Sequence, residues 1–141
     1  MQTIRDESTF QSVPAVAPPV VQWLRVEGFA VAALATLLYA RSGASWWLFA
    51  ALWLIPDLFM LGYLAGPRFG SYCYNAVHTY TGPIGLAGIA LISRHMELLP
   101  YAYIWFHHIG LDRLLGYGLK YPYGFAGTHL KASLPRSPKE L

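Results

Sequence analysis

Four long apolar runs dominate this sequence and limit what it can fold into. They cover residues 20–40, 45–65, 69–93 and 98–116, and short turns separate them. A helix needs about 20 mostly apolar residues to cross a bilayer, and each run has about that length. Charged residues make up 12% of the 141 residues, about half the share in an average soluble domain. The sequence therefore predicts an all-α, four-span transmembrane helical bundle over residues 20–116.

Two segments of different composition flank the predicted bundle. Residues 1–19 are first polar and then proline-containing, which predicts a flexible N-terminal tail. Residues 117–141 form a C-terminal tail rich in glycine, proline and aromatic side chains. If the four helices alternate in direction, only Arg41 and Arg94 among the Lys and Arg residues fall on the side away from the N-terminus. The positive-inside rule then places both termini in the cytoplasm and the chain in the inner (plasma) membrane as a multi-pass protein.

Several ionisable side chains lie inside the apolar runs, where an Asp at a helix centre costs about 2.5–3.5 kcal/mol. In an up-and-down bundle, Asp57, His78 and His108 each lie eight or nine residues from one membrane face, or roughly 12 Å at a rise of ~1.5 Å per residue. Asp112 follows His108 by four residues, so the two side chains share one face of a helix. We therefore expect these side chains to meet in one layer near the cytoplasmic face.

Two imidazoles and two carboxylates in one place form a set of nitrogen and oxygen ligands for Zn²⁺, Fe²⁺ or Mn²⁺. A divalent metal would also offset the cost of placing these charges in a membrane. The predicted ligands are Asp57, His78, His108 and Asp112. About one turn closer to the membrane face, Asn75 is predicted to support the site. Glu27 is predicted to act as the general base or as a further ligand, and Arg113 to bind an anionic group or orient Asp112.

Other interpretations of the polar layer stay open. The same side chains can form a buried network of ion pairs and hydrogen bonds, with Arg113 paired to Asp112 or Asp57. Haem ligation by His78 and His108 is a further alternative, although nearby carboxylates suit haem poorly. Iron bound by several carboxylates would support oxidative chemistry instead of hydrolysis.

The remaining histidines and the glycines of the third run have less specific interpretations. His107 points about 100° away from His108 and is expected at the lipid interface or behind the site. His95 lies in a turn and is expected to be solvated, and His129 follows the last span and can fold back over the polar layer. Pro83 predicts a kink in the third run, and its glycines predict close helix packing.

Three stretches of the chain resemble a family of short bacterial integral membrane proteins, catalogued as domain of unknown function 4260. They are LRVEGFAVAALATLLYARSGASWWLFA, PDLFMLGYLAGPRFGSYCYNAVHTY and HIGLDRLLGYGLKYPYGF. The family carries a Glu in its first span, then Pro-Asp, Asn-x-x-His and His-x-x-x-Asp-Arg. The matching residues here are Glu27, Pro56, Asp57, Asn75, His78, His108, Asp112 and Arg113. The family usually has Asp-Thr-His after the last span, and this chain departs from that pattern because Gly127 precedes Thr128 and His129.

The resemblance implies the fold and the polar layer, and it implies no activity. More distantly, Pro-Asp followed by His looks like the pattern of membrane-bound metal-dependent hydrolases. We therefore expect a metal-dependent hydrolase that acts on a lipid or another amphipathic substrate. The alternative is a non-enzymatic accessory or binding subunit of a larger membrane complex, or a homo-oligomer. The basic residues form no cluster interleaved with aromatics, which argues against nucleic-acid binding.

Overall fold

The computed structural model of the chain describes residues 18–122, 125 and 127–130. The expected flexible tail of residues 1–19 therefore lies almost wholly outside the described residues. Within the described part, the fold is all-helical, with an isolated antiparallel bridge between Lys120 and Thr128. The helices are α1 (Pro18–Ser42), α2 (Trp46–Leu52), α3 (Pro67–Val77), α4 (Thr81–Ser93) and α5 (Leu99–Leu115), with 3₁₀ segments over Pro56–Ala65 and Met96–Leu98.

The first and last apolar runs form the helices that the sequence predicts, and these helices pack along each other. Their contact is close because glycines face each other across it. A Cβ atom on Gly28 would lie 2.7 Å from the carbonyl oxygen of Gly110, and a Cβ atom on Gly110 would lie 2.8 Å from the carbonyl oxygen of Gly28. Small residues of this kind let two helix backbones approach each other. The α1–α5 contact fixes the position of α5, which carries two of the predicted ligands.

The second apolar run changes helix type at Pro56. Helix α2 ends at Leu52, and a turn leads into a 3₁₀ segment that continues to Ala65. Proline has no N–H and its ring clashes with the carbonyl four residues earlier, so an α-helix cannot pass through it undisturbed. The backbone N–H of Asp57 bonds instead to the carbonyl of Leu54 at 3.1 Å. A 3₁₀ segment of 10 residues is unusually long, because such helices rarely exceed three or four residues.

The third apolar run is divided into two helices, so the expected single helix over residues 69–93 is wrong. Helix α3 ends at Val77, and α4 begins at Thr81. His78 lies in the break, with φ −105° and ψ 18°. Pro83 is the third residue of α4, where no intrahelical N–H bond is lost. Pro83 therefore sits in the first turn of a new helix and does not kink a continuous one.

Two segments are long and apolar enough to cross a membrane, Pro19–Ser42 and Trp46–Ala65. Only 17% and 6% of their most apolar windows are buried inside the fold, whereas the core helix of a soluble protein is mostly buried. Large apolar side chains such as Trp47, Leu64 and Ile92 are more than four-fifths exposed. These features support membrane association. Helices α3, α4 and α5 have 11, 13 and 17 residues, fewer than the roughly 20 that one crossing needs.

The segment after α5 folds back over the bundle. Gly116 ends α5 with φ 87°, a left-handed conformation that glycine adopts without strain. The side chain of Asn75 then holds the following residues: its Nδ2 donates to the carbonyl of Lys120 at 2.8 Å, and its Oδ1 accepts from the N–H of Lys120 at 2.7 Å. The described part of the predicted C-terminal tail therefore packs against the helices near the predicted site.

Candidate metal centre

The four predicted ligands meet in one group. One ligand atom from each of the residues Asp57, His78, His108 and Asp112 lies within 4.8 Å of the others. His78 Nε2 is 3.4 Å from Asp57 Oδ1 and 3.5 Å from Asp112 Oδ2. His108 Nε2 is 3.6 and 3.8 Å from the same two oxygens, and the two Nε2 atoms are 3.2 Å apart. We call these four residues the His/Asp group.

Two local irregularities of the fold each position one member of this group. Asp57 is the second residue of the 3₁₀ segment that Pro56 begins. His78 occupies the break between α3 and α4, where its backbone N–H still bonds to the carbonyl of Tyr74 at 3.0 Å. Only His108 and Asp112 lie on a regular helix, four residues apart on the face of α5. Three separate parts of the chain therefore aim side chains at one point.

Hydrogen bonding fixes which nitrogen of His78 faces the group. Its Nδ1 lies 2.9 Å from the carbonyl oxygen of Tyr74. A carbonyl only accepts hydrogen bonds, so Nδ1 carries the hydrogen, and the neutral ring turns the lone pair of Nε2 toward the group. Metal-ligating histidines commonly donate their other N–H to a backbone carbonyl in this way.

His108 leaves a buried ring nitrogen without a hydrogen-bond partner. The residue is fully buried, and its Nδ1 contacts no donor or acceptor among the described residues. Its Nε2 faces the Nε2 of His78, so two nitrogens and two carboxylate oxygens converge on a small volume. One proton shared between the nitrogens can satisfy only part of this set of acceptors, whereas a cation at its centre can contact all four atoms.

Access to the group is through its carboxylates. The side chains of His78 and His108 are 3% and 1% exposed, whereas those of Asp57 and Asp112 are 30% and 17% exposed. The imidazoles therefore form the floor of the site. An ion or a small polar molecule can reach the group along the carboxylate side.

Tyr74 and Trp53 also contact the group, and neither was predicted from the sequence. The ring of Tyr74 stacks on His78 with 3.6 Å between centroids, and its hydroxyl donates to Asp112 Oδ2 at 3.2 Å. The ring of Trp53 lies 5.2 Å from that of His108. Tyr74 precedes His78 by four residues, and this helical spacing was a signal that could have identified it. Nothing in the sequence pattern singles out Trp53 from the other tryptophans.

The structure places Glu27, Asn75 and Arg113 around the His/Asp group and not within it. Glu27 is exposed and lines a cavity together with Arg113. Arg113 donates from Nη2 to the carbonyl of His78 at 3.2 Å. Asn75 bonds to the backbone of Lys120 and holds the C-terminal segment. The predicted roles of Glu27 as base, of Arg113 as anion ligand and of Asn75 as support for the ligands stay predictions.

The other histidines also lie outside the group. His107 accepts a hydrogen bond from Trp53 Nε1 at 2.9 Å, which places it behind the site. His95 is exposed and lies 2.6 Å from Glu97 in the turn before α5. His129 folds back toward the bundle, with its Nε2 3.1 Å from Arg113 Nη1. Burial and the nearby guanidinium of Arg113 lower the pKa of His129.

Comparison with known proteins gives one match. Residues 21–132 match the family described as "Domain of unknown function (DUF4260)". The chain belongs to this family. The matched residues include the whole His/Asp group together with Glu27, Arg113 and His129. No curated protein and no solved structure matches the chain.

Proposed function

We propose that this DUF4260 protein is a membrane-embedded, divalent-metal-dependent hydrolase that acts on a lipid or another amphipathic substrate. The separations between the ligand atoms carry the metal-binding part of the proposal. A tetrahedral site with metal–ligand bonds of about 2.0–2.1 Å has ligand atoms roughly 3.3–3.4 Å apart. Five of the separations within the His/Asp group are 3.2 to 3.8 Å. The group thus has the size of a first-row metal site, and Zn²⁺, Fe²⁺ and Mn²⁺ all suit its nitrogen and oxygen atoms.

Asp57, His78, His108 and Asp112 would hold a divalent metal, which would act as a Lewis acid and lower the pKa of a water bound to it toward about 7. The protein's own residues hold and orient the site. Tyr74 fixes the rotamer of Asp112 through its hydroxyl, and the carbonyl of Tyr74 fixes the tautomer of His78. Arg113 holds the break after α3 through the carbonyl of His78. The partly exposed carboxylates leave one side open, where a substrate can approach.

The membrane part of the proposal places α1, the segment Trp46–Ala65, the α3–α4 pair and α5 as four crossings, with both termini in the cytoplasm. The exposed apolar side chains of α1, α2 and α4 support contact with lipid. The break at His78 carries non-helical backbone inside the predicted third span. Such breaks are tolerated at membrane depth where protein surrounds them, and His78 is 2% exposed.

Metal analysis of the purified full-length protein tests the metal centre. We expect about one transition metal ion per chain after purification in detergent. His78→Ala and His108→Ala should lose most of it, because each removes one of four ligands. His95→Ala is the matched control, since His95 is an exposed histidine far from the group, and it should keep the metal. Substoichiometric metal in the wild type that His78→Ala does not change would overturn the proposal.

Hydrolysis is tested separately with ester and phosphodiester model substrates in mixed micelles. Asp112→Asn should lower kcat and metal content together. Activity that survives metal removal, or metal-replete protein without hydrolytic activity on either bond type, argues against a hydrolase. An iron signal in optical or paramagnetic spectra would point instead to oxidative chemistry.

A second candidate function is that of an accessory subunit in a larger membrane complex or homo-oligomer. The observation in its favour is the exposure of apolar side chains all along α4, including Ile89, Leu91 and Ile92. This function predicts co-purification with a partner and tolerance of Asp57→Asn. The metal-dependent enzyme predicts the opposite result for Asp57→Asn, a loss of metal and activity.

A further inference from the structure

A cavity with several polar side chains in its wall lies between α1, the start of α4, α5 and the C-terminal segment. It has a volume of about 420 Å³. Its polar lining consists of Glu27 from α1, Tyr80 from the break before α4, Arg113 from α5 and His129 from the C-terminal segment, and Leu24 and Val31 contribute apolar walls. We call it the Glu27 cavity. Asp112 and Arg113 are neighbours in sequence. Asp112 belongs to the His/Asp group, and Arg113 lines the Glu27 cavity.

The tautomer of His129 makes its Nε2 a hydrogen-bond donor. The backbone N–H of Leu119 donates to His129 Nδ1 at 2.8 Å, so Nδ1 must be the unprotonated nitrogen. An imidazolium carries a hydrogen on both nitrogens, so a ring whose Nδ1 accepts a hydrogen bond is neutral. A neutral imidazole carries one hydrogen, and it therefore resides on Nε2.

This N–H faces another donor. Arg113 Nη1 lies 3.1 Å from His129 Nε2, and a guanidinium has no acceptor to offer. The other arm of Arg113 is held by the carbonyl of His78 at 3.2 Å, so the guanidinium is anchored. Nη1 also lies 3.5 Å from His129 Nδ1, but Nδ1 already accepts from Leu119 at 2.8 Å. The Nε2–H and Nη1 therefore face each other without an acceptor between them. The oxygens of a phosphate or carboxylate are the acceptors that such a pair of donors fits.

Glu27 adds a separate negative charge to the same cavity. Its side chain is exposed. Among the ion pairs of up to 4.0 Å between described residues, none joins Glu27 to Arg113. The cavity wall therefore carries two N–H donors that face each other and a carboxylate that pairs with no cation among the described residues.

We propose that the Glu27 cavity binds a zwitterionic headgroup of the phosphoethanolamine type, with its anionic oxygens on Arg113 and His129 and its ammonium on Glu27. The cavity lies near the C-terminal end of α5, where Arg25 Nε also donates to the carbonyl of Leu114 at 2.8 Å. A pure anion leaves Glu27 unpaired, and a pure cation leaves the two donors unpaired. A ligand with both charges satisfies both parts of the wall. This proposal does not depend on a metal in the His/Asp group.

Two soluble probes with the same phosphate test the proposal on the full-length protein in detergent. Phosphoethanolamine carries an ammonium, and methyl phosphate does not. We expect the wild type to bind phosphoethanolamine about tenfold more tightly, since a hydrogen bond to a charged group contributes about that factor. Titration followed by ³¹P NMR measures both affinities. Equal affinities, or no binding of phosphoethanolamine, would overturn the proposal.

Three variants assign the two halves of the site. Glu27→Gln keeps the size of the side chain and should remove the preference for phosphoethanolamine while leaving the binding of methyl phosphate unchanged or tighter. His129→Gln should weaken both probes. Glu97→Gln is the matched control, an exposed carboxylate in the turn before α5, and should change neither. The assignment of the ammonium to Glu27 is wrong if Glu27→Gln still prefers phosphoethanolamine over methyl phosphate. It is also wrong if Glu97→Gln loses this preference as fully as Glu27→Gln does.

The same preparations separate this proposal from the proposed hydrolase. Metal content and helix content, measured beside each titration, should be unchanged in Glu27→Gln and His129→Gln. Loss of zwitterion binding with metal retained then reports on the cavity alone. Nanodiscs containing phosphatidylethanolamine should displace phosphoethanolamine if the natural ligand is a lipid headgroup, and nanodiscs of phosphatidylglycerol should not. Absence of displacement by either assigns the cavity to a soluble zwitterion.

Discussion

The α1–α5 contact and the outer face of α4 both contain glycines, yet the two regions are packed in opposite ways. At the α1–α5 contact, Gly28 and Gly110 meet backbone atoms of the facing helix within 3 Å of where a Cβ atom would be. On α4, a Cβ atom on Gly85 or Gly88 would meet nothing within 4 Å. The glycines of the third run were expected to mediate close helix packing. For Gly85 and Gly88 this expectation is wrong within the described part of the chain. A glycine in a membrane-type helix permits close approach without showing whether a partner is there.

The largest expected effect is at the α1–α5 contact. Gly110→Val should lower the free energy of unfolding by about 3 kcal/mol, because the new side chain is forced against the backbone of Ala32 and Gly28. Thermal unfolding in detergent measures the change. Gly88→Val is the matched control on α4 and should change stability by less than about 1 kcal/mol. Equal losses of stability in Gly110→Val and Gly88→Val would show that the α1–α5 contact is not packed more tightly than the face of α4.

The next effect links the α1–α5 contact to the metal centre. Gly110 lies between His108 and Asp112 on α5, so a shift of this helix moves two members of the His/Asp group together. Gly110→Ala should weaken Zn²⁺ binding about tenfold, which corresponds to about 1.4 kcal/mol. Competition with a chelating dye measures the affinity, and Gly85→Ala serves as the control. An unchanged affinity in a destabilised Gly110→Ala would mean that the ligands do not depend on this contact.

Gly82 is an intermediate case, because it lies on α4 but touches α5. A Cβ atom there would lie 2.4 Å from the ring of Trp105, whose Nε1 donates to the carbonyl of Val77 at 2.7 Å. Gly82→Ala should cost about 1 kcal/mol through the displaced ring and its hydrogen bond. The cost should shrink in a Trp105→Phe background, measured as a double-mutant cycle. If the losses of stability in Gly82→Ala and Trp105→Phe are additive, the displaced Trp105 ring is not the cause of the cost at Gly82.

The smallest effect is expected on the open face of α4. Gly88→Ala should raise the free energy of unfolding by about 0.5–1 kcal/mol, because alanine favours a helix more than glycine does and no neighbour is in its way. The midpoint of thermal unfolding measures it. A loss of stability together with a loss of oligomer on size-exclusion chromatography would show that this face packs against a second copy.

The sequence predicted the membership of the His/Asp group better than it predicted the helices that carry it. His108 and Asp112 follow from helical spacing, and Asp57 and His78 follow from depth in alternating spans. The long 3₁₀ segment and the break at His78 could not be predicted from the sequence, although Pro56 and Pro83 lie at or near both features. Proline shows that an α-helix is disturbed, but tertiary contacts decide whether the chain kinks, changes helix type or begins a new helix.

The contacts of Arg113 were also beyond sequence reasoning. Spacing placed it next to Asp112, and pairing with a carboxylate was the natural expectation for a buried network. Its guanidinium instead reaches the carbonyl of His78 and the ring of His129. These partners come from a backbone break and from a segment that returns after α5, and neither feature has a local signature. The return of His129 to this side was an open possibility, and its hydrogen bond with Leu119 had no signal in the sequence.

The 3₁₀ segment gives Asp57 a mechanical sensitivity that the other ligands lack. A 3₁₀ helix rises about 2.0 Å per residue and an α-helix about 1.5 Å. Rewinding the 10 residues from Pro56 to Ala65 into an α-helix would therefore shorten this stretch by about 5 Å. That displacement exceeds the 3.4 Å between Asp57 and His78. With the end at Ala65 held fixed, Asp57 lies near the far end of the segment and would undergo most of that displacement, so the pitch of this stretch would set its distance from the imidazoles.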